Sequence, residues 1–160
     1  MTQRALWALA AHRLGEEVAA QPVLLQRVLA PVHALLTLAV QCLTGIELGR
    51  GAIIGPGLLI VHCGNVVVHG QPVLGANCTL LQGVTLGNRY AGGPAPVLAD
   101  RVGVDAYAQV LGGVLVGEGS VVGALALVLH DVPARTVVVG SPARVVGPVP
   151  CMTMLPTADA

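Results

Sequence analysis

Phenylalanine is missing from this chain, and aromatic residues of all kinds amount to 2% of it. An ordinary globular core takes much of its bulk from aromatic rings. Here the interior has to be narrower, because hydrophobic residues still make up 54% of the 160 positions. Lysine is missing too. The eight basic residues are all arginine (4, 13, 27, 50, 89, 101, 135 and 144), scattered along the chain and balanced by eight acids. That distribution excludes a basic stripe for nucleic acid and a polybasic patch for a membrane surface. The four cysteines (42, 63, 78 and 151) show no CxxC pair, which reads as reduced thiols of a cytoplasmic protein rather than a zinc site. No secretory signal is read in Gln3 to Leu14, where Arg4, His12 and Arg13 interrupt the apolar residues. The most apolar early run, Pro31 to Leu43, falls short of the ~20 residues that span a bilayer, and reads as a helix buried against a partner.

What the chain does have is a beat of six. Aliphatic residues recur at Leu48, Ile54, Ile60 and Val66, and after a slip of two at Leu74, Leu80 and Leu86. After a loop they return at Leu98, Val104, Val110, Val116, Val122 and Val128. Neither a helix of period 3.6 nor a strand of period 2 produces this pattern, whereas a hexapeptide repeat does. Each hexad is one short strand and a turn. Three hexads make a triangular coil, and stacked coils align the aliphatic residues in an inner column. Such a prism needs Val, Leu and Ile rather than rings, and its frequent turns suit the 21 glycines. At this length one domain is expected, burying roughly 70% of the extended surface.

The chain divides into three parts. Residues 1–44 read as helical, with Ala5, Leu6, Leu9, Leu14 and Val18 on one apolar face and a second apolar face running from Leu24 to Leu36. Pro31 should kink or divide that second segment. Residues 45–147 read as the solenoid, interrupted by an extruded loop at 88–97 (NRYAGGPAPV). Residues 148–160 read as a frayed tail. Counting the beat residue and the one four later as inward leaves Val61, Val67, Leu115, Val121 and Leu127 on the outside. A patch of that kind calls for self-association, most simply a three-fold ring.

Few side chains in the solenoid can do chemistry. His62, two positions past Ile60, should point outward at a corner, where an imidazole can move protons near neutral pH. Glu47 stands fifteen residues earlier, close to one coil, so its carboxylate should lie a rung below, able to orient one ring nitrogen and leave the other free. Cys63 next to His62 should face the opposite way and act as filler. His69, seven positions past His62 and beside the slip, is either a second acid–base group or a polar corner. His130 reads as structural, and His12 and His33 have no legible role.

The stretch GIELGRGAIIGPGLLIVHCGNVVVHGQPVLGANCTLLQGVTLGN resembles the first coils of the serine O-acetyltransferase family and its sugar-acetylating relatives. The segment VVGALALVLHDVPARTVVVGSPARVVG resembles their closing coils. The resemblance covers 45–147 with one gap. It implies a left-handed parallel β-helix (a rare exception to right-handed crossovers), a homotrimer with active sites between subunits, and acetyl-coenzyme A as co-substrate without a metal. It implies His62 as general base and Glu47 as the orienting carboxylate. It also implies a donor groove along Ala106, Tyr107 and Ala124, oxyanion donors near Gly112 and Gly113, and Arg144 on a nucleotide phosphate.

The departures from the family pattern point to the acceptor. The serine enzymes carry Asp before the catalytic His, where this chain has Val61. They carry Arg-His at the loop tip, where this chain has Gly93-Pro94-Ala95-Pro96. Without those charges a zwitterion loses its complement. The expected acceptor is therefore a hydroxyl or amine of a sugar or other biosynthetic intermediate, with Arg89 and His69 as acceptor-binding residues; serine itself is the alternative. The corner residues Tyr107 and Leu125 replace the Gly or Asn that accepts positive φ, so those turns either change conformation or hold strain. Two further readings are a metal-dependent hydratase, which would need three converging histidines, and a scaffold that has lost its chemistry.

Overall fold

The computed structural model describes residues 3–150. The frayed tail expected at the C-terminus, with Cys151, falls mostly outside the described residues. Two helices come first, α1 (Gln3–Ala19) and α2 (Val23–Thr44). The strands that follow are β1 (Ile46–Leu48), β2 (Ile53–Ile54), β3 (Leu59–Ile60), β4 (Val66–Val68) and β5 (Val73–Leu74). Next are β6 (Thr79–Leu80), β7 (Thr85–Gly87), β8 (Val97–Leu98), β9 (Gly103–Val104) and β10 (Gln109–Leu111). The last are β11 (Leu115–Val116), β12 (Val121–Val122), β13 (Leu127–Val128), β14 (Thr136–Val139) and β15 (Arg144–Pro148).

The strands stack into three parallel sheets, the faces of a prism. One runs β1-β4-β7-β10-β13, the second β2-β5-β8-β11, and the third β3-β6-β9-β12-β14. This is the left-handed parallel β-helix with a short helical segment that the hexads call for. Every beat residue lies inside, from Leu48, 8% exposed, to Val122, fully buried. The positions four later fill the corners of the same interior, among them Ala52, Leu58, Cys78, Val84, Val102, Ala108, Val114 and Ala126. Of the positions expected outside, Leu115 is half exposed, and Val61, Val67, Val121 and Leu127 are partly so. The end of the solenoid turns back: β15 pairs antiparallel with β14.

The slip in the beat lies elsewhere than its sequence position suggests. Leu48 pairs in register with Val68, and Val68 with Leu86, so Val68 rather than Val66 holds the column. Eight residues therefore separate Ile60 from Val68, against six from Leu80 to Leu86. The two extra residues swell the corner that carries His62. Val66 and Val68 are both fully buried, which is why the sequence alone did not distinguish the two registers.

The helices differ more from expectation. The face α1 buries is the small one, Ala5, Ala8 and Ala11, while Leu6 and Leu14 stay close to half exposed. Alanines let the helix approach the first coil closely, and Arg13 clamps it there by donating from Nη2 to the Ile54 carbonyl at 2.7 Å. Pro31 does not divide α2, which runs unbroken to a left-handed cap at Gly45. Few α2 side chains are buried, namely His33, Val40 and Thr44, whereas Leu24, Val28, Val32 and Leu35 are well exposed. The run Pro31 to Leu43 is thus part of a 22-residue helix that is long and apolar enough to cross a membrane by length and composition alone.

Two predictions follow from this packing. Leu80→Ala, at a fully buried rung, should cost about 2–5 kcal/mol in urea unfolding; a loss well under 1 kcal/mol would contradict a close-packed column. The second concerns His12. Burial holds its imidazole below the ordinary 6.5, with Arg13 and His33 adding to the effect and Glu16 and the Ala52 backbone opposing it. The unfolded chain takes up a proton near the ordinary value and the native chain only below it. His12 therefore supports stability in full above that value and loses its contribution as pH falls through it. Thermal unfolding should drop more steeply from pH 7 to 5 in the parent than in His12→Asn, and equal slopes would refute this.

Candidate functional site

The candidate residues gather around the first sheet, on its two edges. The corner leading from the third sheet into the first carries His62, and further along the same edge Ala106, Tyr107, Ala124 and Leu125. Backbone hydrogen bonds stack this edge rung on rung: Gly83 N–H to Gly64 O, Tyr107 N–H to Gln82 O, and Leu125 N–H to Ala106 O, each 3.0 Å. His62 is exposed, and its neighbour Cys63 is half buried against the core. The opposite edge, leading to the second sheet, carries His69, the extruded loop with Arg89, and Gly112–Gly113.

Between the edges runs an outward row in register, Glu47, Val67, Thr85, Gln109 and Leu127. Glu47 lies on the rung below His62 and just past its corner, as the spacing requires. Its carboxylate, however, leans the other way. Glu47 Oε1 stands 3.9 Å from His69 Nδ1, with both side chains substantially exposed. Among the described residues no hydrogen bond or ion pair joins Glu47 to His62.

The loop is seated by its own chemistry. The Asn88 side-chain amide donates to the Gly93 carbonyl, and Arg89 Nη2 donates to the Leu129 carbonyl at 2.8 Å. Pro94 sits against Gly113, where an added Cβ would fall 2.7 Å from Pro94 Cβ, and Arg89 lies over Gly112. The glycine pair thus admits the loop, and within one chain it stands on the other edge of the sheet from His62. Arg144 is exposed on β15 beyond the third sheet.

Both doubtful turns take the strained alternative. Tyr107 has φ 59° and Leu125 φ 60°, in the left-handed region that costs a side chain with a Cβ ~1–2 kcal/mol. The Tyr107 ring lies back over Gly83, where a Cβ would meet its Cδ1 at 2.3 Å. The adjoining Asp105 escaped the sequence reading. Burial at this corner pushes its carboxyl above the ordinary carboxylate value. The only sequence signal for it was an acid next to a corner. Among the described residues, no group of three or more His, Cys, Asp or Glu side chains could hold a metal ion.

No protein-family model matches the chain. A curated serine acetyltransferase from Synechococcus elongatus is 41% identical over 125 residues, which is 77% of this chain and 51% of that protein. The crystal structure of the serine acetyltransferase of Brucella abortus superposes with a TM-score of 0.79 at 29% identity, covering 94% of this chain and 60% of that one. A serine acetyltransferase solved in complex with CoA matches with a TM-score of 0.77 at 25% identity, covering 91% of this chain and 58% of that one. The chain spans about half the length of the curated relative.

One consequence of the turn geometry is open to measurement. Leu125 is 71% exposed, so Leu125→Asn loses little packing while relieving positive φ, and should raise stability by about 0.5–1 kcal/mol. A destabilised variant would show that the leucine does not rest there under strain.

Proposed function

Because the chain belongs to the serine O-acetyltransferase-like hexapeptide-repeat family, we propose that it moves an acetyl group from acetyl-coenzyme A to an acceptor hydroxyl. The observation that carries this reading is an exposed imidazole, His62, on a swollen corner beside a carboxylate one rung below. The acceptor hydroxyl lies against His62, which removes its proton as the oxygen attacks the thioester carbonyl. A new C–O bond forms, the C–S bond breaks, and the thiolate leaves and takes up a proton. Glu47 serves as the orienting acid. Its exposed side chain can swing from His69 toward His62, where it would hold one ring nitrogen and leave the other free.

The split of the candidate residues between two edges supports a site shared by subunits. In one chain the donor-side corner with His62, Tyr107 and Ala124 stands apart from Gly112–Gly113 and Arg89. A three-fold arrangement would set one edge of a prism against the other edge of the next, so that backbone N–H groups near Gly112 and Gly113 of a second copy could steady the oxyanion. The exposed apolar faces of α2 and of the second sheet, with Ile53, Val97 and Leu115 in one row, fit a homotrimer, and the helices fit a pairing of trimers. Arg144 would meet a phosphate of the nucleotide, and the protein would work in the cytoplasm.

The acceptor read from the loop is a neutral hydroxyl, such as a sugar's, held by Arg89 and His69. Gly93-Pro94-Ala95-Pro96 offers no side-chain charge for a zwitterion, and Val61 none before the base. A second reading, L-serine as acceptor, is favoured by the relatives' activity and by the 41% identity. Assays with acetyl-coenzyme A against L-serine and a panel of sugars separate the two.

His62→Ala should lower turnover by about 10²–10⁴-fold with the fold intact, since that is the usual worth of general-base assistance. Near-full activity in the variant would remove His62 from the mechanism.

A further inference from the structure

The helical segment and the first coil enclose a cavity of about 310 Å³ away from the first sheet's outward face. Its walls include Ala8 and Ala11 of α1, its floor Ile46 and Leu48 of β1, and its lining also includes His12 and Arg50. The His12 side chain is 3% exposed, and among the described residues its Nε2 has no hydrogen-bond partner. Glu16 Oε1 comes only to 3.9 Å and the Glu16 carboxylate is held by Arg13 at 3.0 Å. The other lining histidine is satisfied, since His33 Nε2 meets the Ala11 carbonyl at 2.9 Å. A buried polar atom left unpaired costs free energy unless something enters to meet it.

The chemistry of the occupant follows from three groups. An occupant must bring a group that pairs with the His12 Nε2 atom, such as a hydroxyl, which donates or accepts as the ring's tautomer requires. Arg50 is exposed, and the structure shows it no ion pair with any described residue, so its guanidinium is available to a carboxylate. The rest of the lining is mixed: Ala8, Ala11 and Val40 are apolar, whereas Glu16, Gln26 and Gln41 are polar. We propose that this cavity is a small-molecule site, distinct from the acyl-transfer face, for a compact hydroxycarboxylic acid. The hydroxyl pairs with His12 Nε2, the carboxylate meets Arg50, and the apolar body lies against Ala8 and Ala11.

The test uses the full chain with 15N-labelled imidazoles and 4-hydroxybenzoate as probe. A saturable shift of the His12 Nε2 resonance at millimolar probe, with His62 and His130 unmoved, is the expected result. Benzoate, lacking the hydroxyl, and 4-hydroxybenzamide, lacking the charge, should each bind more weakly. Arg50→Gln, at an exposed position that leaves the fold alone, should weaken the probe by about 10-fold, the usual worth of a charge-assisted bond. Absence of a saturable shift, which would leave water as the occupant, overturns the proposal. So does binding that is equal in Arg50→Gln, or equal for benzoate and 4-hydroxybenzoate.

Discussion

Each coil of this prism sends three aliphatic side chains inward, and these must stack on the coils above and below if they are to leave water. Rung-to-rung hydrogen bonds such as Leu59 N–H to Cys78 O and Thr79 N–H to Val102 O, both 2.9 Å, lock that stacking into register. A parallel ladder has no freedom to slide one residue without turning the column outward. Within the parallel coils the larger irregularities have therefore been pushed to the corners. The two-residue insertion emerges at the His62 corner, and the extruded loop leaves between β7 and β8 with the ladder continuing on both sides, Leu74 pairing directly with Leu98.

The corners are consequently where backbone strain collects. The swollen corner lifts His62 from the regular surface. On the same edge Tyr107 and Leu125 hold positive φ that the stacked ladder imposes on them. A free turn would relax, whereas a turn pinned at both ends by column residues cannot. Glycine or asparagine at such places would avoid the cost. The Tyr107 ring over Gly83 occupies space along the edge that leads to His62.

The helical segment obeys a different constraint. Its small alanine face caps the open end of the prism, covering Ile46 and Leu48, while the large aliphatic residues of α2 point outward. That arrangement reverses the usual economy of an amphipathic helix, and it gains physical sense if other copies of the chain cover α2. The same holds for the apolar row on the second sheet.

Much of this could be read from residue order. The hexad beat gives the prism, its inward column from Leu48 to Val128, and the outward corner position of His62, because a repeat of six in a parallel coil leaves one geometry for each position. The resemblance in the first and closing coils reached the family for the same reason: those residues serve local turns and rungs. The tertiary structure decided what depends on competition between distant partners. It placed Val68 in the column beside an equally buried Val66, because register is chosen by the neighbouring rung. It turned Glu47 toward His69, because an exposed carboxylate follows whichever polar neighbour stands within reach rather than spacing. It buried the alanines of α1 instead of its leucines, because close approach to the first coil outweighs side-chain size. And it opened a cavity at His12, which no periodicity marks, since an enclosed space belongs to three elements at once.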